Sequence, residues 1–319
     1  MTNTLLDAST LLPVLTAEYN LPAPVECVFL RRGFNDHYEV RAAQGRYILR
    51  VYFQGKYYIE SDSDFRFELD LLDFLYSNGV PVSHAVRRNI GDLLGTLQTS
   101  GGVRHFALFT YAEGETAKTL DPTLARTLGQ TVARLHSTAD RFQTMHRRYH
   151  LNLEYLLDKP MQLIEAFLQE QGQEGVKAYH PAIEALRTKI QALPTTAPMY
   201  GIIHGDLHGG NRAVTEEGIF TFFDFDHGGY GWRAYDLAIC QCLMSEEAWN
   251  ACLEGYQQIR PLLQSEIESI PIFRKLSPIW DKGDILAMRT AWGDREEFGE
   301  EFVKQIQTTF ATLFGSDSC

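Results

Sequence analysis

The sequence predicts an α+β fold in two lobes, a small antiparallel β lobe followed by a larger, mainly helical one. Three observations predict it. The chain has 319 residues, and a single core stops growing at about 250–300 residues. Runs rich in β-branched and aromatic residues crowd into the stretch before residue 112. Beyond residue 120 the apolar residues recur mostly at helical spacing, with one short β-rich island between them.

Taken in order, Val25–Leu30 is a mixed apolar strand, RRGFND breaks the pattern, and His37–Arg41 resumes it. Ala43-Gln44-Gly45 makes a turn into Arg46–Phe53 (RYILRVYF), which is strongly β in composition, so the three runs form an antiparallel meander. A helix follows in FRFELDLLDFLYSNG. Phe65, Glu68, Leu72 and Leu75 share one face with Leu71 beside them, and Gly79 offers a stop. Glu68 is the anomaly on that stripe, because a buried carboxylate needs a cationic partner. Two shorter strands, Leu93–Thr99 and Val103–Tyr111, complete the β lobe, and AEGE connects it onward. The lobes therefore divide as 1–112 and 113–319.

Asp121-Pro122 starts a helix, with Asp as N-cap and Pro in the first turn, and Leu124, Leu128, Val132 and Leu135 form its apolar stripe. Further helices are expected over roughly 151–193, 234–257 and 284–313. The β-rich island is Gly201–Asp226, bounded by Pro198 and by Gly228-Gly229.

Forty-one acidic residues against 29 basic ones give a formal net charge of −12. That balance argues against nucleic acid or an anionic membrane as partner, since both require Lys and Arg to neutralise phosphates. No run approaches the ~18 apolar residues of a membrane span, and the start of the chain lacks the basic, apolar and small-residue regions of a leader. The five cysteines are odd in number and three of them, Cys240, Cys242 and Cys252, fall in one expected helix, so no disulfide framework is read and a reducing, cytoplasmic setting is predicted. His204, His208, Cys240 and Cys242 do not read as a zinc site, because Cys-x-Cys ligands splay apart on a helix.

The most informative stretch is HGDLHGGN, His204 to Asn211. It matches the kinase catalytic loop H-R-D-L-x-x-x-N at every specified position but the second, where Gly205 stands. Asp224 follows inside TFFDFD, where kinases place a metal-binding Asp. Phosphoryl transfer asks the protein mainly to position groups and neutralise charge. Asp206 suits the base that accepts the hydroxyl proton. Asp224 and the Asn211 amide oxygen suit Mg²⁺, which prefers hard oxygen ligands. In the β lobe Arg50 occupies the position of the phosphate-contacting cation, and Glu68 is its natural partner. The loop Arg31–Asp36, with Phe34 and Asn35 in it, is placed to cover the phosphates of ATP through backbone N–H groups. Adenine is expected against the backbone of Thr110–Ala112. His204 reads as a scaffold residue, and Asp236 as a buried carboxylate bonding the catalytic loop. Tyr230 and Trp232 follow closely enough to flank an acceptor pocket, while Trp280 and Trp292 read as core or rim aromatics.

HGDLHGGN followed by FFDFD and GWRAYDLA resembles the aminoglycoside phosphotransferase and choline kinase superfamily, which also includes bacterial homoserine kinases, fructosamine kinases and stress-response kinases. GFNDHYEV, RYILRVY, ELDLLDFLYSNGVPV and LGQTVARLH look like the same group's earlier segments, so the resemblance spans about residues 25–240. It implies a protein-kinase-like fold and ATP- and Mg²⁺-dependent transfer to a hydroxyl of a small molecule, whose pocket such proteins build from regions like 150–195 and 245–319. Two departures stand out: Arg50 replaces the Lys of many members, and Asp226-His227 follows Asp224 where members vary. Glu246, Glu247, Asp281 and Asp284 suggest a cationic acceptor. A protein Ser/Thr kinase is the first rival reading, weakened because eleven residues separate Asp224 from Asp236 and no A-P-E occurs. A nucleotide-binding regulator without transfer activity is the second.

Overall fold

The computed structural model describes residues 3–116, 119–292 and 299–315. Its N-terminal lobe is a five-stranded antiparallel sheet in the order β1-β2-β3-β5-β4. The strands are β1 (Glu26–Arg32), β2 (Asn35–Ala42), β3 (Gly45–Tyr52), β4 (Gly95–Thr99) and β5 (Gly102–Thr110). Side chains alternate faces along a strand, and here each face has its own helix. Leu49, Val51, Phe106 and Leu108 pack with Leu11, Leu15 and Tyr19, the first two of which belong to α1 (Ala8–Glu18). The opposite face, with Ala107 and Phe109, packs with the buried stripe of α2 (Asp62–Ser77). Arg50 falls on that second face by parity with neither Leu49 nor Val51, and so it meets α2. Ser61 and Asp64 close a capping box at the start of α2, which fixes where Glu68 stands.

The C-terminal lobe begins with α3 (Pro122–Ala139), whose Asp121 cap accepts from the Leu124 N–H. A π-helical turn, Glu154–Asp158, runs into α4 (Lys159–Glu170), and α5 (His180–Gln191) follows. Two short antiparallel pairs come next. β6 (Tyr200–Ile203) pairs with β9 (Gly229–Trp232), and β7 (Arg212–Val214) pairs with β8 (Phe220–Phe222). The remaining helices are α6 (Arg233–Cys240), α7 (Glu246–Ile259), α8 (Gln264–Trp292) and α9 (Glu300–Phe314). α3 and α7 approach closely through glycines. A Cβ on Gly129 would lie 1.9 Å from the Cys252 carbonyl oxygen, and one on Gly255 2.1 Å from that of Arg126.

The architecture is the two-lobed α+β, kinase-like fold that the sequence predicts, with three local differences. α1 carries no expectation from the sequence, because Pro13 interrupts its pattern and only Leu11 and Leu15 are buried. The β-rich island does not end before Gly228-Gly229, since β9 continues from Gly229 to close on β6. The last helical stretch, expected over 284–313, is two helices. α8 starts at Gln264 and runs through Pro271 and Pro278, while residues 293–298 of the expected stretch lie outside the described residues.

Candidate active site

The loop between β6 and β7 carries Asp206 and Asn211, and buried contacts on both sides hold it. Asp236, at the start of α6, accepts from the His204 and Gly205 N–H groups, each at 2.8 Å. His136 Nε2 lies 3.1 Å from the same carboxylate and fixes it in turn. The imidazole of His204 accepts from the Asp206 N–H through Nδ1 at 3.3 Å, so its Nε2 is the atom that donates to the Phe223 carbonyl at 3.0 Å. Burial lowers the His204 pKa and favours this neutral form. His204 thereby ties the Asp206 loop to the strand that precedes Asp224. Asn211 donates through Nδ2 to the Asp206 carbonyl at 2.9 Å and to its carboxylate at 2.8 Å. With both amide hydrogens spent there, Oδ1 is the Asn211 atom left to accept or to ligate.

Asp224 sits between β8 and β9 with φ 65° and ψ 59°. This left-handed conformation is uncommon away from glycine, and its cost is tolerated where surrounding structure enforces it. Arg50 Nη2 approaches Asp224 Oδ1 at 3.0 Å, and Arg50 Nη1 approaches Glu68 Oε1 at 2.6 Å. Arg31 Nη2 reaches the other Asp224 oxygen at 3.2 Å. Burial by itself would raise the Asp224 pKa; Arg50 first, then His37 and Arg31, outweigh it and bring the carboxyl down to about 2. The sequence-predicted Arg50–Glu68 pair thus forms, and it extends to Asp224.

Arg50 and Asp224 line a cavity of about 240 Å³ between the lobes, with Ile48, Phe109, Thr110 and Ala112 around its apolar part. The Thr110 backbone is already engaged, its N–H with the His84 carbonyl and its carbonyl with the Ser83 hydroxyl. Phe34 and Asn35 turn elsewhere. The Phe34 ring packs edge-on against His227 at 5.4 Å. The Asn35 side chain is buried and accepts from Lys56 Nζ at 2.7 Å.

Of the residues around Asp224, Arg148, Lys56, Tyr58 and Tyr155 escape sequence reasoning. Arg148 is buried and donates to the carbonyls of Asp64, Phe225, Asp226 and Gly228. It joins the first turn of α2 to the segment after Asp224. Within HRRYH it looks like surface charge, and no sequence signal marks it. Asp226 accepts from Lys56 at 2.6 Å and from the Tyr58 hydroxyl at 2.9 Å. His227 pairs with Tyr155 at 2.6 Å and faces Asp284 at 3.4 Å. Burial first, then the Asp206 and Asp226 charges, push the Asp284 pKa well above the ordinary carboxylate value. Trp280 stands edge-on to His227 at 4.9 Å. Asp281 is exposed one turn away, whereas Glu246 and Glu247 stand exposed in the first turn of α7. Trp232 packs into the core against Phe273, and Tyr230 stacks on His150. The Trp292 side chain lies outside the described residues.

Residues 26–263 match the model of a family described as the phosphotransferase enzyme family. An uncharacterized protein of Synechocystis is 35% identical over 268 residues, covering 82% of this chain and 73% of that one. Among solved structures, the amicoumacin kinase hAmiN in complex with AMP-PNP, Ca²⁺ and Ami aligns with a TM-score of 0.78 at 21% identity, over 97% of this chain and 93% of that one. A microcompartment-associated aminopropanol kinase aligns with a TM-score of 0.76 at 23% identity, over 96% and 95%. At such identities the structural likeness is one of fold.

Proposed function

Because this chain belongs to the phosphotransferase enzyme family, we propose that it moves the terminal phosphoryl group of ATP to a hydroxyl of a small, positively charged molecule. The observation that carries this reading is that the loop carrying Asp206 and Asn211 is hydrogen-bonded to both the N–H and the carbonyl of Phe223, the residue before Asp224, and Asp224 in turn meets the Arg50–Glu68 pair. On this reading residues 1–112 grip the nucleotide, and residues 113–319 supply the catalytic loop and the acceptor pocket.

The residues present fit Mg²⁺. Asp224 offers an ionised carboxylate, and Asn211 has its amide hydrogens turned away on Asp206. One carboxylate and one amide oxygen suit an ion that keeps waters and phosphate oxygens as its other ligands. When bound there, Mg²⁺ would neutralise phosphate charge. The chain does the rest. Arg50, held by Glu68, binds phosphate oxygens. Ala112, which lines the cavity, receives the base, since the Thr110 backbone is engaged and Phe34 and Asn35 turn away from the cavity. Asp206 accepts the hydrogen bond of the acceptor hydroxyl and takes its proton as the oxygen bonds to phosphorus and the ADP oxygen leaves.

A cationic acceptor is supported by Asp284 and Asp281 on the Asp206 side, and by the Tyr155 and Trp280 rings, whose faces attract cations. The class named for the aminopropanol kinase, an amino alcohol, has the required ammonium and hydroxyl. A peptide acceptor is disfavoured, because the short run from Asp224 to Asp236 is taken up by a helical turn, β9 and the start of α6. The test is a screen of hydroxyl-bearing amines for acceptor-stimulated ADP release, repeated with Asp206→Asn. That variant should keep ATP affinity while turnover falls by about 10²–10⁴. Wild-type turnover in the variant would remove Asp206 from the mechanism.

A further inference from the structure

The register of β1 shifts between Phe29 and Arg31, where Leu30 is inserted as a bulge. Neighbours in a regular strand point to opposite faces. The bulge re-aims the strand, so that the consecutive residues Leu30 and Arg31 both line the inter-lobe cavity. Arg31 reaches from there to Asp224. The two guanidiniums on that carboxylate are held very differently. Arg50 is buried and gripped by Glu68, whereas the Arg31 side chain is 52% exposed and has Asp224 as its one ion-pair partner among the described residues. A single, half-exposed pair is weak and exchanges readily.

We propose that Arg31 is a phosphate-binding residue kept on Asp224 while the site is empty and released to the nucleotide when the metal arrives. The reasoning is one of charge. Glu68 and Asp224 balance Arg50 and Arg31 in the cavity as it stands. A divalent cation entering at Asp224 would face both guanidiniums at short range, and the exposed one is the one free to leave. The triphosphate brings the negative charge that receives it, and a guanidinium fork bonds two phosphate oxygens at once. Arg50 stays in place through this exchange, because Glu68 fixes its other nitrogen at 2.6 Å, and it meets the phosphates from there. The inference rests on the proposed reading of Asp224 as the metal-side carboxylate.

Two titrations on the wild type, Arg31→Gln and Arg31→Lys test it: Mn²⁺ without nucleotide, followed by electron paramagnetic resonance, and Mg·ATP, followed by calorimetry. Arg31→Gln should bind Mn²⁺ severalfold more tightly, since a competing cation is gone. It should bind Mg·ATP about tenfold more weakly, the loss expected for one charge-assisted contact. Arg31→Lys should return Mn²⁺ affinity toward wild type but recover nucleotide affinity only in part, because an ammonium is a point charge. Equal Mn²⁺ affinity in wild type and Arg31→Gln would overturn the exchange, as would equal Mg·ATP affinity. A wild-type protein that binds neither ligand would instead remove the reading of the site itself, and this inference with it.

Discussion

The two sides of Asp206 handle buried charge in opposite ways. On the nucleotide side, Arg50 and Arg31 meet Asp224, whose pKa is brought down to about 2, while Glu68, gripped by Arg50 at 2.6 Å, is still pushed upward by burial. On the acceptor side, Asp284 has His227, whose own pKa burial lowers, as its one ion-pair contact among the described residues, and its Oδ1 has no hydrogen-bond partner there. The Asp284 pKa accordingly moves up rather than down. The first arrangement is a closed charge balance, suited to a ligand that brings its own counter-cation. The second is an open one, with negative capacity that a positively charged acceptor would complete. On the proposed reading, the difference teaches where specificity would reside: the balanced side would be generic, and the unbalanced side would select.

Arg148 spans the two sides, and removing it is the strongest way to break the comparison. Its guanidinium holds carbonyls from α2 and from the segment between Asp224 and β9. Arg148→Met would leave the Gly228 carbonyl without its guanidinium donor and strip one donor from Phe225 and Asp226, which keep the Gly228 N–H and the Tyr149 hydroxyl. The expected loss is about 3 kcal/mol in urea denaturation, the upper end for hydrogen bonds to a charged group whose acceptors are left underused. Arg148→Lys should recover part of it. A variant with an unchanged urea midpoint would show that the two sides hold their shapes independently.

Next in size is the coupling within the nucleotide side. Arg50→Ala and Glu68→Ala should each lower kcat/KM for ATP, and the double variant should lose little more than either one. Residues in one salt-bridge network show coupling of about 0.5–3 kcal/mol, and this pair, both partners buried, belongs at the upper end. Full additivity in the double-mutant cycle would mean that Glu68 does not hold Arg50 for the nucleotide.

This contrast also explains what the sequence makes legible. The nucleotide side is readable because His204–Asn211 and Asp224 lie close together in the chain, and Glu68 stands out as a carboxylate on an apolar stripe. The acceptor side is drawn from Lys56, Tyr155, His227 and Asp284, four distant segments whose contacts follow no spacing rule. Arg148 is hidden for a related reason: its partners are backbone carbonyls, which leave no trace in residue types. Of the fold, the meander, α2 and α3 are legible from periodicity and caps. α8 is not, because prolines at 271 and 278 interrupt a helix that tertiary packing nonetheless sustains. The Asn35 side chain faces Lys56, and a loop sequence alone gives no means of telling which way its residues turn.

The smallest effect is the most discriminating, because its two readouts have opposite signs. The folded Asp284 carboxyl has a raised pKa, so the folded state holds its proton more tightly than the unfolded chain does. Stability associated with this group is therefore present below the ordinary carboxylate pKa and lost as pH rises through the folded value. Asp284→Asn cannot ionise and avoids that loss. The variant should match wild-type stability near pH 4 and exceed it increasingly toward neutral pH. A gain of about 1 kcal/mol is reasonable for relieving an imperfectly paired buried charge, and it would raise Tm by roughly 2 °C in a chain of this size. The same substitution should raise KM for an ammonium-bearing acceptor about tenfold, the weight of one hydrogen bond to a charged group, and leave a neutral acceptor nearly unaffected. Differential scanning calorimetry across pH and steady-state kinetics read the two effects separately. If Asp284→Asn is less stable at neutral pH, Asp284 is a paired structural carboxylate and the acceptor side holds no spare charge. If stability rises but the ammonium acceptor's KM stays put, the acceptor's charge is met elsewhere, with exposed Asp281 the next group to replace.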